Sequence, residues 1–170
     1  MPAPVRILGV DTSLRSSGIG CVVSDGVRHR AVSYGVIAAK KAWPLSQCLV
    51  HLRASLLHRL AEDKPDVVAI EGIFYCRNVR TAMALGQARG VVIATCAEAG
   101  LAIYEYAPRL VKQGMTGSGA AAKHQVGLMM KSLLGLAELP PEDAADALAI
   151  ACCHANRMRA ASVTGGQEAL

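Results

Sequence analysis

Four carboxylates in this chain stand where chemistry could use them. Asp11 ends the apolar run Val5–Val10, and Glu71 ends a second apolar run, Val67–Ile70. A short β-rich run of this kind reads as a buried strand, so each acid is held at the edge of a sheet. Asp143 and Asp146 lie three apart in a helical pattern, which puts both on one helix face. Taken singly, Glu71 reads as a turn cap and Asp143 as an ordinary first-turn helix acid. Asp146 is different, because Ala144-Ala145 precede it and Ala147-Leu148-Ala149-Ile150 follow. A charge in such apolar surroundings is costly unless something pairs with it. Together the four suggest a divalent-metal site aimed at phosphate. Hard cations such as Mg²⁺ bind oxygen, and a two-metal hydrolase holds its ions about 3.5–4 Å apart with several carboxylates. Asp11 then bridges the ions, Glu71 lies beside it if the two strands pair, and Asp143 and Asp146 approach from the last helix. Negative charge in that helix's first turn also suits its dipole.

These acids need a scaffold, and the 170 residues suffice for one domain with a real core. A hydrophobic share of 52% against 18% charged residues argues against disorder. No apolar run is long enough to span a bilayer. The start of the chain leads straight into a strand without a cleavage site, so a cytoplasmic location is expected. Six cysteines without C-x-x-C spacing read as reduced and buried, not as a disulfide framework. The net charge of +5 coexists with the acid cluster, so the remaining surface is more basic than the total, and nucleic acid is the leading partner class.

The pattern predicts strands over Val5–Asp11, Ile19–Ser24 and Val27–Ile37, with Thr12–Gly18 as a turn and Asp25-Gly26 as a hairpin signal. Leu45, Leu49, Leu52, Leu56, Leu57 and Leu60 mark a helix opened by Pro44 and stopped by Asp63-Lys64-Pro65. A strand over Asp66–Ile70, a helix over Val79–Ala99 and a strand over Leu101–Tyr106 follow. A short element starts at Pro108–Lys112, then Thr116–Gly119 turns into a helix over Ala120–Leu136. A last helix, Glu142 to Met158, follows Pro140-Pro141. Residues 1–158 thus form one domain and 159–170 a disordered tail. A meander followed by alternating strands and helices predicts a mixed five-stranded sheet with helices on both faces, the α/β ribonuclease H-like architecture.

An ordered series of motifs then resembles the RuvC family of Holliday-junction resolvases from about Arg6 to Asn156. The series comprises Glu71-Gly-Ile-Phe74 with Asn78, Leu85-Gly-Gln-Ala-Arg-Gly90, and Tyr106-Ala-Pro with Val111-Lys-Gln113. It continues with Thr116-Gly-x-Gly-x-x-x-Lys123-x-Gln-Val126 and Asp143-Ala-Ala-Asp146-Ala-Leu-Ala-Ile. The resemblance implies a homodimeric endonuclease that nicks opposed strands of a four-way DNA junction symmetrically and leaves ligatable ends. It also implies Mg²⁺ or Mn²⁺, the partners RuvA and RuvB, and metal ligation by Asp11, Glu71, Asp143 and Asp146. The family usually follows its first aspartate with Pro-Gly, whereas this chain has Thr12-Ser13, which lacks proline's restraint.

DNA contacts follow partly from residue type and partly from the resemblance. Phe74, the sole phenylalanine, lies three residues past Glu71 and is expected to stack on an unpaired base, worth about 1–3 kcal/mol. Tyr75 is a weaker candidate. Lys112 and Lys123 match lysines that the family keeps near the scissile phosphate, where a cation stabilises developing charge. Gly117 and Gly119 precede a helix and are expected to offer backbone N–H groups to phosphate; Arg77 and Arg80 extend a basic track. Gly86 and Gly90 strip one flank of their helix and make it the candidate dimer contact. Two rival classes remain open at this point: a junction-binding module without catalysis, and an ATP-binding protein of the actin/sugar-kinase superfamily. The latter shares an Asp-Thr-Ser turn after its first strand but needs two such domains.

Overall fold

The computed structural model describes residues 3–72, 78–164 and 168–170. Three strands, β1 (Val5–Asp11), β2 (Ser16–Ser24) and β3 (His29–Ala38), form the antiparallel meander. They are followed by α1 (Leu45–Asp63), β4 (Val67–Glu71), α2 (Val79–Glu98) and β5 (Ala102–Tyr106), then by α3 (Pro108–Thr116), α4 (Lys123–Leu134) and α5 (Glu142–Thr164). The sheet runs β3-β2-β1-β4-β5, with β4 parallel to both β1 and β5. This is the mixed five-stranded sheet that the sequence predicts.

Alternation along the central strands sorts their side chains between two helical layers. Leu8 and Val10 of β1 and Val68 and Ile70 of β4 pack with Leu52 and Leu56 of α1 and Val92 of α2. Ile7, Val67 and Ala69 turn the other way, toward Val111 of α3, Met130 of α4 and Leu148 of α5. Asp11 and Glu71 continue this second set, so period-2 geometry alone aims both toward the layer that contains α5.

How closely α5 approaches is set by glycines on the strands beneath it. A Cβ on Gly9 would lie 1.9 Å from the Ala147 carbonyl oxygen, and one on Gly18 would lie 1.8 Å from that of Asp143. Gly9 faces Gly20, and Asp11 faces Gly18, in the β1–β2 register. The helix answers with small residues, and Ala144, Ala145, Ala147, Ala149 and Ala151 are all buried. Gly18 corrects the expected turn over Thr12–Gly18: β2 already begins at Ser16, and Gly18 serves as a strand residue that lets a helix backbone through. The fourth helix is shorter than expected, ending where Gly135 takes φ 63°. The last one is longer, running to Thr164, and beyond it the Leu170 amide donates to the Ile103 carbonyl at 2.9 Å.

α5 is also pinned to β5 by a buried polar pair. The Tyr106 hydroxyl lies 2.6 Å from Nδ1 of His154, which is 2% exposed. Burial pulls the His154 pKa down to about 4, so the imidazole is neutral and shares a single hydrogen bond with the phenol through Nδ1. Unfolding restores an ordinary value near 6.5, so the unfolded chain binds the extra proton between those two values. His154 therefore contributes stability that is complete above about pH 6.5 and lost as pH falls toward 4, at up to about 1.4 kcal/mol per pH unit. In urea titrations between pH 4 and 7, His154→Gln should show a flatter pH dependence than the wild type. Parallel curves would contradict the buried neutral imidazole.

Cys21, Cys48, Cys96, Cys152 and Cys153 are free and buried, as expected; Cys76 lies outside the described residues. Among the described residues no helix is long and apolar enough to cross a membrane.

Candidate active site

The β1–β4 register reaches Val10 opposite Ile70, so Asp11 and Glu71 follow side by side at the C-terminal ends of adjacent parallel strands. Neighbouring strands lie about 4.8 Å apart. α5, seated on the glycines, delivers Asp146 over the same sheet end. Asp11, Glu71 and Asp146 line one cleft of about 200 Å³, together with Lys112 of α3 and Lys123 at the start of α4. Pro108, Val111, Val126 and Ala149 supply its apolar wall.

Lys123 Nζ is 3.7 Å from Asp146 Oδ2 and 3.9 Å from a carboxylate oxygen of Glu142, a residue that the motif reading missed. Asp143 stands one step back from the cleft lining, and its carboxylate accepts a short hydrogen bond from Ser16 Oγ. Ser16 opens β2 just after the turn in which Thr12-Ser13 depart from Pro-Gly, and this turn is restrained after all. The Ser13 amide donates to Ser17 Oγ at 3.0 Å, Ser17 Oγ donates back to the Ser13 carbonyl at 2.6 Å, and the Ser16 amide donates to Ser13 Oγ at 3.0 Å. Hydroxyls thus restrain this turn in the absence of proline. Thr12 is buried, and its hydroxyl has no partner among the described residues.

Burial, reinforced by crowded negative charge, governs the electrostatics. The Asp11 pKa is pushed up to about 7, by burial first and then by Glu71, Asp146 and Asp143, with Lys123 pulling the other way. Burial and then Asp146 raise Glu71 against the pull of Lys112 and Lys123. Asp146 is raised chiefly by burial, with both lysines opposing. Burial works against the Lys123 charge, but Asp146, Asp143, Asp11 and Glu142 outweigh it and hold the ammonium protonated. Lys123 therefore stands in the cleft as a cation. The donor set is all oxygen, which suits Mg²⁺ or Mn²⁺. Among the described residues no three His, Cys, Asp or Glu side chains are gathered closely enough to hold a metal ion by themselves. An open, half-built site is what Mg²⁺ uses when phosphate oxygens and water complete its coordination. Bringing in a cation would relieve the mutual repulsion that raises Asp11.

Not every expected residue arrives here. Gly117 ends α3 at φ 76°, and its amide donates to the Gln113 carbonyl at 2.9 Å, so that N–H is already used within the protein. Gly119 packs on Arg109, whose Cγ would meet a Cβ at 2.6 Å. Arg80 is exposed in the first turn of α2. Phe74, Tyr75 and Arg77 lie outside the described residues. Sequence reasoning missed Gly9, Gly18 and Gly20, although glycine inside a strand is itself a signal of close backbone approach. It also passed over Arg89, which sits within a motif and bonds the strand end that carries Glu71.

Three comparisons bear on this arrangement. The profile described as crossover junction endodeoxyribonuclease RuvC matches residues 7–154. A protein of that name from Caldicellulosiruptor saccharolyticus is 45% identical over 152 residues, covering 88% of this chain and 92% of its own. Another, from Halorhodospira halophila, is 44% identical over 166 residues, covering 96% and 99%. A solved structure described as T. thermophilus RuvC in complex with Holliday junction substrate superposes with a TM-score of 0.88. It has 34% identity and covers 98% of this chain and 99% of the other. With a profile spanning most of its length and relatives of this identity over nearly their whole lengths, the chain belongs to the RuvC family of crossover junction endodeoxyribonucleases.

Proposed function

We propose that this protein resolves four-way DNA junctions by metal-dependent hydrolysis, nicking two opposed strands symmetrically. The observation that carries the reading is the cleft itself, in which strand-end acids Asp11 and Glu71 meet helix-borne Asp146 beside Lys112 and Lys123. Asp11, Glu71 and Asp146 would hold Mg²⁺ or Mn²⁺, with Asp143 as the fourth ligand once it exchanges its Ser16 partner. Two bound cations would lower the pKa of the attacking water and stabilise the leaving oxygen. Protein groups do the rest. Asp11 and Glu71 sit on rigid strand ends and define where the phosphate settles. Lys112 and Lys123 offer positive charge to its oxygens, more strongly as the transition state gains charge. The apolar wall limits access of bulk water.

Beyond the cleft, Phe74 stacks on a base at the junction centre, Arg77 supports the backbone track, and Gly119 lets the chain come close to phosphate. Gly117 shapes the turn between α3 and α4. On α2, exposed Val79 and Met83 continue the line of Gly86 and Gly90, where an added Cβ would meet nothing. That stripe is the surface proposed to pair two subunits, so that two clefts face opposed strands. RuvA and RuvB are the proposed working partners, and the cytoplasm is the proposed compartment.

Binding and metal uptake can be tested separately from cutting. In EDTA, a synthetic four-way junction should shift in a gel at protein concentrations that leave a linear duplex of the same sequence free. Mn²⁺ should raise the melting temperature of the free protein, and EDTA should reverse the rise. Equal affinity for both DNAs together with no Mn²⁺ response would count against the reading.

A further inference from the structure

We propose that Arg89 is a positioning residue for the metal site, holding the backbone of Glu71 from the opposite side of the sheet. This inference rests on the nuclease reading above and assigns one more residue to its machinery. Glu71 is the last residue of β4, and the β1–β4 register stops at Val10 and Ile70, one position earlier. On the β5 side, the Gly72 amide donates to the Tyr106 carbonyl at 2.9 Å. The Glu71 carbonyl is instead taken by a side chain: Arg89 Nη1 donates to it at 2.7 Å. Arg89 Nη2 meets the carboxylate of Glu105, on β5. The guanidinium is therefore a clamp across the ends of two parallel strands. It is only 13% exposed.

The direction of approach matters. α2 lies in the layer with Leu8, Val68 and Ile70, whereas the Glu71 carboxylate points into the α5 layer. Arg89 thus leaves the carboxylate free for a cation and grips the peptide on its other side. Fixing that peptide plane fixes the direction in which the Glu71 side chain leaves the strand. The fork needs arginine, because two donors in one rigid plane reach a carbonyl and a carboxylate at once, which the single ammonium of lysine does not reproduce. Arg89 is also the neighbour of Gly90 on the helix proposed to pair subunits, so displacement of α2 is delivered directly to Glu71.

The test compares wild type with Arg89→Gln, Arg89→Lys and Glu105→Gln. Arg53→Gln serves as a control, since it breaks the exposed Arg53–Glu98 pair between α1 and α2 far from the clamp. Mn²⁺ affinity is read by calorimetry, junction affinity in EDTA, and single-turnover cleavage against Mg²⁺ concentration. Outer-sphere substitutions around metal sites usually weaken affinity or activity by about 10–100-fold. R89Q should fall in that range for Mn²⁺ affinity and cleavage, with junction affinity within about twofold of wild type and partial rescue by excess Mg²⁺. R89K should recover only part of the loss, E105Q should shift the same way by less, and R53Q should match wild type. A competent wild type whose R89Q and R89K bind Mn²⁺ and cut equally well overturns the proposal alone. A wild type that neither binds Mn²⁺ nor cuts overturns the nuclease reading on which it rests.

Discussion

Asp11→Asn should cut a four-way junction at least about 10³-fold more slowly than wild type while binding it equally well. Asp11 is the carboxylate on which the other three act most, since Glu71, Asp146 and Asp143 all push its pKa upward. That coupling means its charge is felt throughout the cleft and is the one that a shared cation would relieve most. Removing a single electrostatic stabiliser from a hydrolase commonly costs about 10²–10³ in rate, and a bridging metal ligand should cost more. Folding should move the other way. A carboxylate whose folded pKa is raised above its unfolded value opposes folding once pH exceeds the unfolded value, and fully so above the folded one. Asn removes that opposition, so in EDTA at pH 8 D11N should melt at or above the wild-type temperature, and its Mn²⁺ response should disappear. Lost activity with a lowered melting temperature would mean that Asp11 serves the fold and not the chemistry.

Gly18→Ala should damage the site without touching any acid. Its Cβ would lie 1.8 Å from the Asp143 carbonyl oxygen, so α5 has to move away by something on the order of 1 Å. The contact is backbone against strand, so no rotamer change relieves it. Overpacking of cores typically costs about 1–3 kcal/mol, and this case should lie at or above the top of that range. A displacement of about 1 Å at catalytic groups is worth about 10² in rate. Gly35→Ala on β3 is the matched control, because a Cβ there meets nothing within 4 Å. G18A should therefore lose melting temperature and at least about 10² of cleavage rate, and G35A neither. A stable, active G18A would mean that α5 does not sit on β1 and β2 as described.

These two residues show what the sequence makes legible. Asp11 is readable because an acid that ends an apolar strand breaks a local pattern, and period-2 alternation then fixes its face. Asp146 is readable for the same reason within a helix. Gly18 is harder, because its role depends on what passes over it. Beside Ser16 and Ser17 it resembles a turn residue, and only the packed α5 backbone reveals it as a spacer. Arg89 is harder still, since its two partners belong to the ends of β4 and β5, and their meeting is a product of the sheet order. The serine hydrogen bonds that replace Pro-Gly have the same character: the residues are visible, while their pairing is set by the turn they build.

The central claim is that this cleft cuts DNA at junctions, and mapping nicks on a labelled four-way junction tests it most directly. With Mg²⁺ or Mn²⁺ and a panel of junctions of varied sequence, the account predicts paired nicks at symmetric positions on opposed strands, sealed by ligase and absent in EDTA. Junction binding without any cleavage across the panel, in either metal, would contradict it.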